Sequence, residues 1–205
     1  VSVFLDFYIF SAAKYAIDGH LTDAMSGYFN ILFMPTSVIY LAANFVIRPF
    51  LTKLTACWDG GDWDGFSRVR RRIGLVIGGL TVLAVAGALI LGRPVLGIME
   101  LLLGTGYEGR LTEHWIAFVV IILGGGLYAL ANLYYYLLVI MRRQGMIFLV
   151  YLCAAIAAWF LSPILVVRFE IMGAAVCYVV LMAALTLGFC GLQGALFRKA
   201  KESET

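Results

Sequence analysis

Residues 115–141 read WIAFVVIILGGGLYALANLYYYLLVIM, with no Asp, Glu, Lys or Arg among them. A helix over this stretch rises 1.5 Å per residue and reaches ~40 Å, more than the ~30 Å of hydrocarbon in a bilayer. Its apolar residues fall on every face and do not alternate, the pattern of a helix in lipid and not of a barrel strand. A helix also satisfies its own backbone polar groups, which lipid cannot do.

Four further stretches meet the same test without an ionisable Asp, Glu, Lys or Arg: 28–47, 73–92, 144–167 and 171–197. A sixth, 1–13, is shorter and carries Asp6. It lacks an initiator Met and a basic leading segment, so it is expected to be the end of a longer helix and not a signal peptide. Residues 94–103 include Glu100 and are expected to form a half-buried surface helix or a short extension of the preceding span. The expected fold is an all-α polytopic membrane helix bundle over residues 1–205. It has five complete spans plus one truncated span, and 198–205 form a short cytoplasmic tail.

Composition agrees. Of the 205 residues, 63% are hydrophobic and 13% charged, and the mean hydropathy is +0.96. Ordinary soluble domains carry roughly 25% charged residues. A soluble enzyme, a disordered tail and a collagen-like chain are excluded, because too little polar surface remains to cover the apolar groups. The net charge of +3 is too small to argue for nucleic acid. The cysteines Cys57, Cys153, Cys177 and Cys190 form no C-x-x-C pair and read as small apolar packing residues. No metal site and no cofactor is expected.

Basic residues in alternate connections set the orientation. Residues 48–72, the turn at 142–143 and the tail together hold eleven Lys and Arg, against four in the opposite connections. The basic side, with the C-terminus, is therefore expected in the cytoplasm, in a multi-pass protein of the cytoplasmic (inner) membrane whose basic residues meet lipid headgroups. Tyr8, Tyr15, Tyr28, Trp58, Trp63, Tyr107 and Trp115 lie near predicted span ends, where aromatic belts belong. Pro35 is expected to kink its helix, and Gly78, Gly79 and Gly124, Gly125, Gly126 to let helices approach closely.

The loop at 57–66, CWDGGDWDGF, invites two chemical readings. An EF-hand frame fails, because Gly60 occupies position one and Arg71 position twelve. Asp62-Trp63-Asp64 is a D-x-D, a pattern that can hold a metal and a sugar nucleotide, but no nucleotide-binding α/β domain accompanies it. The simpler reading is an amphipathic segment with Phe50, Leu54, Cys57 and Trp58 on one face, a Gly/Asp turn, and arginines anchoring the next span. His20 and His114 head no H-x4-D pattern, and no nucleophile–base set emerges, so an enzyme is disfavoured.

Polar groups at membrane depth carry more information, because burying them in lipid is costly. Asp6 and Lys14 lie on broadly the same face of the first helix, ~12 Å apart along its axis. Asn44 and Arg48 are one turn apart in the Pro35 helix, and Asn132 is deep in 115–141 ahead of Tyr134-Tyr135-Tyr136. Lys14 and Arg48 can snorkel to an interface, and Asn132 can hydrogen-bond between helices. The remaining reading is a polar face lining a pathway for an anionic or sugar-bearing cargo.

Several strings resemble a known family. They are Lys14-Tyr15-Ala16-Ile17-Asp18, Tyr28-Phe29-Asn30-Ile31-Leu32-Phe33-Met34-Pro35, Arg48-Pro49, residues 58–66 with Gly61-Asp62, Gly124-Gly125-Gly126, Met141-Arg142-Arg143-Gln144 and Met172-Gly173-Ala174-Ala175. In order and spacing the chain resembles the polysaccharide and lipid-linked oligosaccharide flippases of the multidrug/oligosaccharidyl-lipid/polysaccharide exporter superfamily. The resemblance implies the C-terminal bundle of a two-bundle carrier, with the missing N-terminal half as its partner and a polyprenyl-linked glycan as cargo for cell-surface polysaccharide or lipopolysaccharide assembly. It further implies that Lys14 and Arg48, with Asn44 and Asn132, line the substrate pathway and hold pyrophosphate or acidic sugars. Asp6 and Asp18 would then be ion-coupling groups. A cation-coupled multidrug exporter and a membrane-bound glycosyltransferase using Asp62 and Asp64 are the alternatives.

Overall fold

A computed structural model describes residues 2–104 and 110–202. Every described element is an α-helix: α1 (Ser2–His20), α2 (Asp23–Asp59), α3 (Trp63–Leu103), the single turn α4 (Arg110–Glu113), α5 (Trp115–Ile140) and α6 (Gln144–Glu202). Four of these, α2, α3, α5 and α6, are long and apolar enough to cross a membrane.

The 59-residue α6 is interrupted at Glu170, where φ is 50° and ψ −129°. Its two halves fold back on each other. Ser162 Oγ lies 3.3 Å from Cys177 Sγ, and the Tyr151 and Phe189 rings meet at 5.1 Å. A methyl group at Gly188 would sit 3.0 Å from Val150. Near the bend, Gly173 passes so close to the Leu165 carbonyl that no side chain fits between them. The break falls in the 168–170 connection that the charge pattern marked.

The hairpin between α2 and α3 is fixed by its turn residues. Gly60 N–H donates to Ala56 O at 3.0 Å, and Asp62 N–H donates to Cys57 O at 2.9 Å. Gly61 takes φ 68°, a left-handed conformation that glycine adopts without steric cost. Asp62 is the N-cap of α3, accepting from Gly65 N–H at 2.8 Å.

Side-chain pairs give the helix directions. Thr36, Tyr40 and Asn44 on α2 meet Gly125, Tyr128 and Asn132 on α5 in the same order, so α2 and α5 run parallel. On α3, Gly74 faces Leu133, Thr81 faces Gly126 and Gly92 faces Phe118, so α3 runs antiparallel to α5. Phe10–Phe33 and Asp18–Ser26 make α1 antiparallel to α2. Helix direction therefore alternates along the chain. The helix ends near residues 59–63, 141–144 and 196–200 gather at one end of the bundle, as the contacts of Trp58 and Trp63 and a shared cavity show.

α5 is the axis. In its most apolar stretch 67% of residues are buried, against 17% in α3. The three consecutive glycines explain how it can be central. Successive residues of a helix point 100° apart. Gly124 abuts Tyr178 on α6, Gly125 abuts Thr36 on α2, and Gly126 abuts Thr81 on α3. One glycine therefore serves each of three neighbours. Gly78 and Gly79 differ from the expectation: among the described residues a side chain added at either meets nothing within 4 Å, so they mediate no close approach there.

Of the two readings of residues 94–103, the extension of the preceding span is the one observed: α3 continues through Pro94 to Leu103. There Glu100 is buried, and its carboxylate accepts from Thr112 N–H at 2.8 Å, tying α3 to α4. Trp58 and Trp63 stand about ten residues, ~15 Å along their helices, beyond the apolar runs. They pack on each other at 5.2 Å, and on Phe66 and Phe197 at 5.5 and 5.8 Å. Tyr107 lies outside the described residues. Helix α6 continues to Glu202, so the first residues of the expected tail are helical.

Candidate functional site

A cluster of polar side chains inside the bundle lies midway along α5. Tyr128 Oη donates to Asp6 Oδ2 at 2.8 Å. This bond brings the first turns of α1 to the middle of the bundle and sets a carboxyl group halfway along α5. The second carboxylate oxygen, Asp6 Oδ1, is buried and has no hydrogen-bond partner among the described residues. It adjoins a cavity of about 200 Å³ lined by Val3, Asp6, Tyr40, Asn132, Tyr135, Tyr136 and Tyr151.

One wall of this site is a two-rung ladder between parallel helices. Tyr40 stacks on Tyr128, with ring centroids 5.1 Å apart and 27° between planes. One turn further on, Asn132 Nδ2 donates to Asn44 Oδ1 at 3.2 Å. Asn44 Nδ2 in turn donates to Tyr40 O at 3.0 Å. The same Tyr-x3-Asn spacing occurs on both helices, residues 40–44 and 128–132. Parallel direction and equal spacing place like opposite like. Below this level an aromatic cluster of Phe10, Phe29, Phe33 and Tyr178 closes the core, with rings 4.9–5.8 Å apart.

Of the residues singled out from the sequence, Asp6, Asn44 and Asn132 are brought together here. The others are elsewhere. Lys14 is half-exposed two turns along α1, and Arg48 is exposed, one turn past Asn44 toward the basic end. Asp18 is exposed and accepts a hydrogen bond from Ser26, joining α1 to α2. Of the two histidines, His20 Nδ1 lies 3.1 Å from Ala16 O, and His114 precedes α5 as its N-cap residue. Asp62 is committed to capping α3.

Tyr40, Tyr128 and Tyr151 were missed by sequence reasoning. The available signal was the repeated Tyr-x3-Asn, which marks a polar stripe on each of two otherwise apolar helices. Phenol, amide and carboxylate groups around a small cavity can hydrogen-bond hydroxyls or hold a cation, while the aromatic faces offer apolar surface. No family model, curated protein or solved structure matches this chain.

Proposed function

We propose that this chain is one bundle of a carrier that moves a lipid-linked oligosaccharide across the cytoplasmic membrane. In this reading α2, α3, α5 and each half of α6 cross the bilayer. α1 contributes Asp6 at mid-depth, and the end rich in Lys and Arg faces the cytoplasm. The observation that carries the reading is the Asp6–Tyr128 pair beside a cavity of Tyr40, Asn132, Tyr135, Tyr136 and Tyr151. Aromatic faces with amide and carboxylate groups suit a hydroxyl-rich cargo. Ionisable residues at membrane depth mark pathways by default, because their burial is otherwise costly. The polar side faces the other bundle of the carrier in this reading. Asn44, Asn132 and Asp6 are the pathway residues, with Lys14 and Arg48 at its two mouths.

The test is translocation of a fluorescent polyprenyl-linked glycan by the full-length protein in liposomes. Stimulation over empty vesicles is expected, and its absence would sink the proposal.

A second reading, cation-coupled export of drugs, is favoured by one observation: the unpaired Oδ1 of Asp6 in the bundle interior. It predicts drug resistance on expression that is lost in Asp6→Asn, with no glycan translocation.

A further inference from the structure

Beyond the bilayer-depth cavity, the basic end of the bundle holds a second recess. It lies between the outer parts of α2 and α3 and has a volume of about 350 Å³. Three cations line it: Lys53 from α2, and Arg68 and Arg72 from α3. Arg68 and Arg72 are spaced i, i+4 and so share one face, and Lys53 faces them from the antiparallel helix. All three side chains are exposed. Among the described residues none of the three has a hydrogen bond or ion pair. The one carboxylate in the recess, Asp62, has Oδ1 taken by Gly65 N–H. Three like charges are thus held together with a single, already engaged counter-charge.

Depth identifies the occupant. Arg72 immediately precedes the apolar run of α3, Arg68 is ~6 Å further out, and Lys53 stands ~9 Å beyond Ile47, where the apolar run of α2 ends. That is the headgroup layer, just outside the hydrocarbon. The recess is also preformed. Its walls are fixed by the Gly60–Asp62 turn and by Trp58 packing on Trp63 and Phe66, and Cys57 and Val69 supply an apolar floor. Guanidinium groups bind phosphate oxygens in a planar fork.

We propose that this recess binds the headgroup phosphate of an anionic phospholipid in the leaflet at the basic end of the bundle. The site is distinct from the mid-depth cavity and does not depend on the cargo reading.

The experiment uses the full chain purified into neutral detergent. Phosphatidylglycerol or phosphatidylcholine is added, and retained lipid is counted by native mass spectrometry. Phosphatidylglycerol is expected to be retained preferentially. The triple variant Lys53→Gln/Arg68→Gln/Arg72→Gln is expected to lower its affinity by about tenfold or more, since each surface cation contributes substantially to anionic-lipid attraction. The single variant Lys53→Gln is expected to lower it by about threefold on the same basis. Arg142→Gln/Arg143→Gln/Arg198→Gln removes as much charge from the same end and is expected to leave the affinity within about twofold. Unchanged affinity in both the triple and the single cleft variants overturns the proposal, and so does an equal loss in the control variant, which indicates diffuse charge and no site. Displacement of phosphatidylglycerol from the wild-type protein by inorganic phosphate alone, at millimolar concentration, overturns the assignment to lipid.

Discussion

Asn132 on α5 donates a 3.2 Å hydrogen bond to Asn44 on α2, one helical turn from the point where Tyr128 stacks on Tyr40. Two helices that run parallel at this distance must match in register, and the matching is done by the one Tyr-x3-Asn on each. Asn44 is 6% exposed, so its amide is out of reach of water and must find partners within the protein. A double-mutant cycle with Asn44→Ala and Asn132→Ala, followed by unfolding in detergent, should show a coupling of ~0.6 kcal/mol, the average for polar pairs between membrane helices. Asn44→Ala should be the costlier single change, because it also removes the bond to Tyr40 O. Strict additivity of the two changes would show that the pair contributes nothing.

Tyr128 should be the residue that keeps Asp6 in place. Tyr128→Phe removes only the hydroxyl and leaves the stacking on Tyr40 and the contact with Phe10. It strips a hydrogen bond from a buried carboxyl group whose other oxygen has no partner among the described residues. A loss of ~1–3 kcal/mol is expected, read as a lowered thermal midpoint in detergent. The double variant Asp6→Leu/Tyr128→Phe should be less destabilising than Tyr128→Phe alone, since removing both members of a buried polar pair costs less than orphaning one. The reverse order would place the Asp6 carboxylate in water.

The long apolar helices were legible because a run of ~20 residues without charge is a one-dimensional signal that needs no partner. The Glu170 break was legible for the same reason: Arg168 and Glu170 are the charges between two such runs. Asp6, Asn44 and Asn132 could be found because polar groups at depth are rare. Tyr40, Tyr128 and Tyr151 could not be found the same way. Tyrosine is at home in apolar surroundings, at interfaces and in cores, and the chain has 11 of them. Choosing among them requires knowing that α2 and α5 are parallel, which no local pattern states. The helical extensions beyond the apolar runs, residues 48–59 and 63–72, were read mainly as a connection. Once a helix leaves lipid its exposed face turns polar, and its residues then resemble those of a loop.

The division of labour among the central glycines gives a matched comparison. Gly126→Ala drives a methyl group into Thr81, whose own hydroxyl is tied to Ile77 O at 2.8 Å and cannot swing away freely. Gly78→Ala adds the same methyl where nothing lies within 4 Å. Gly126→Ala should destabilise the bundle by ~1–3 kcal/mol through overpacking, whereas Gly78→Ala should be neutral or slightly stabilising through the higher helix propensity of alanine. Equal thermal midpoints for the two variants would mean that α3 and α5 do not pack at Thr81.

The loop aspartate separates a structural role from a chemical one. Asp62 Oδ1 accepts from Gly65 N–H at the start of α3, and a cap of this kind contributes ~0.5–2 kcal/mol. Serine can replace it as a cap, but a neutral hydroxyl cannot replace a carboxylate that holds a divalent metal with a sugar nucleotide. Asp62→Ala should therefore lower the thermal midpoint, and Asp62→Ser should restore most of the loss. Under the carrier reading the Asp62→Ser protein, and its double variant with Asp64→Ala, should translocate glycan at the wild-type rate in liposomes. A glycosyl-transfer activity that is present in the wild type and lost in Asp62→Ser, with the thermal midpoint preserved, would overturn the cap as the residue's role and move this loop from scaffold to active site.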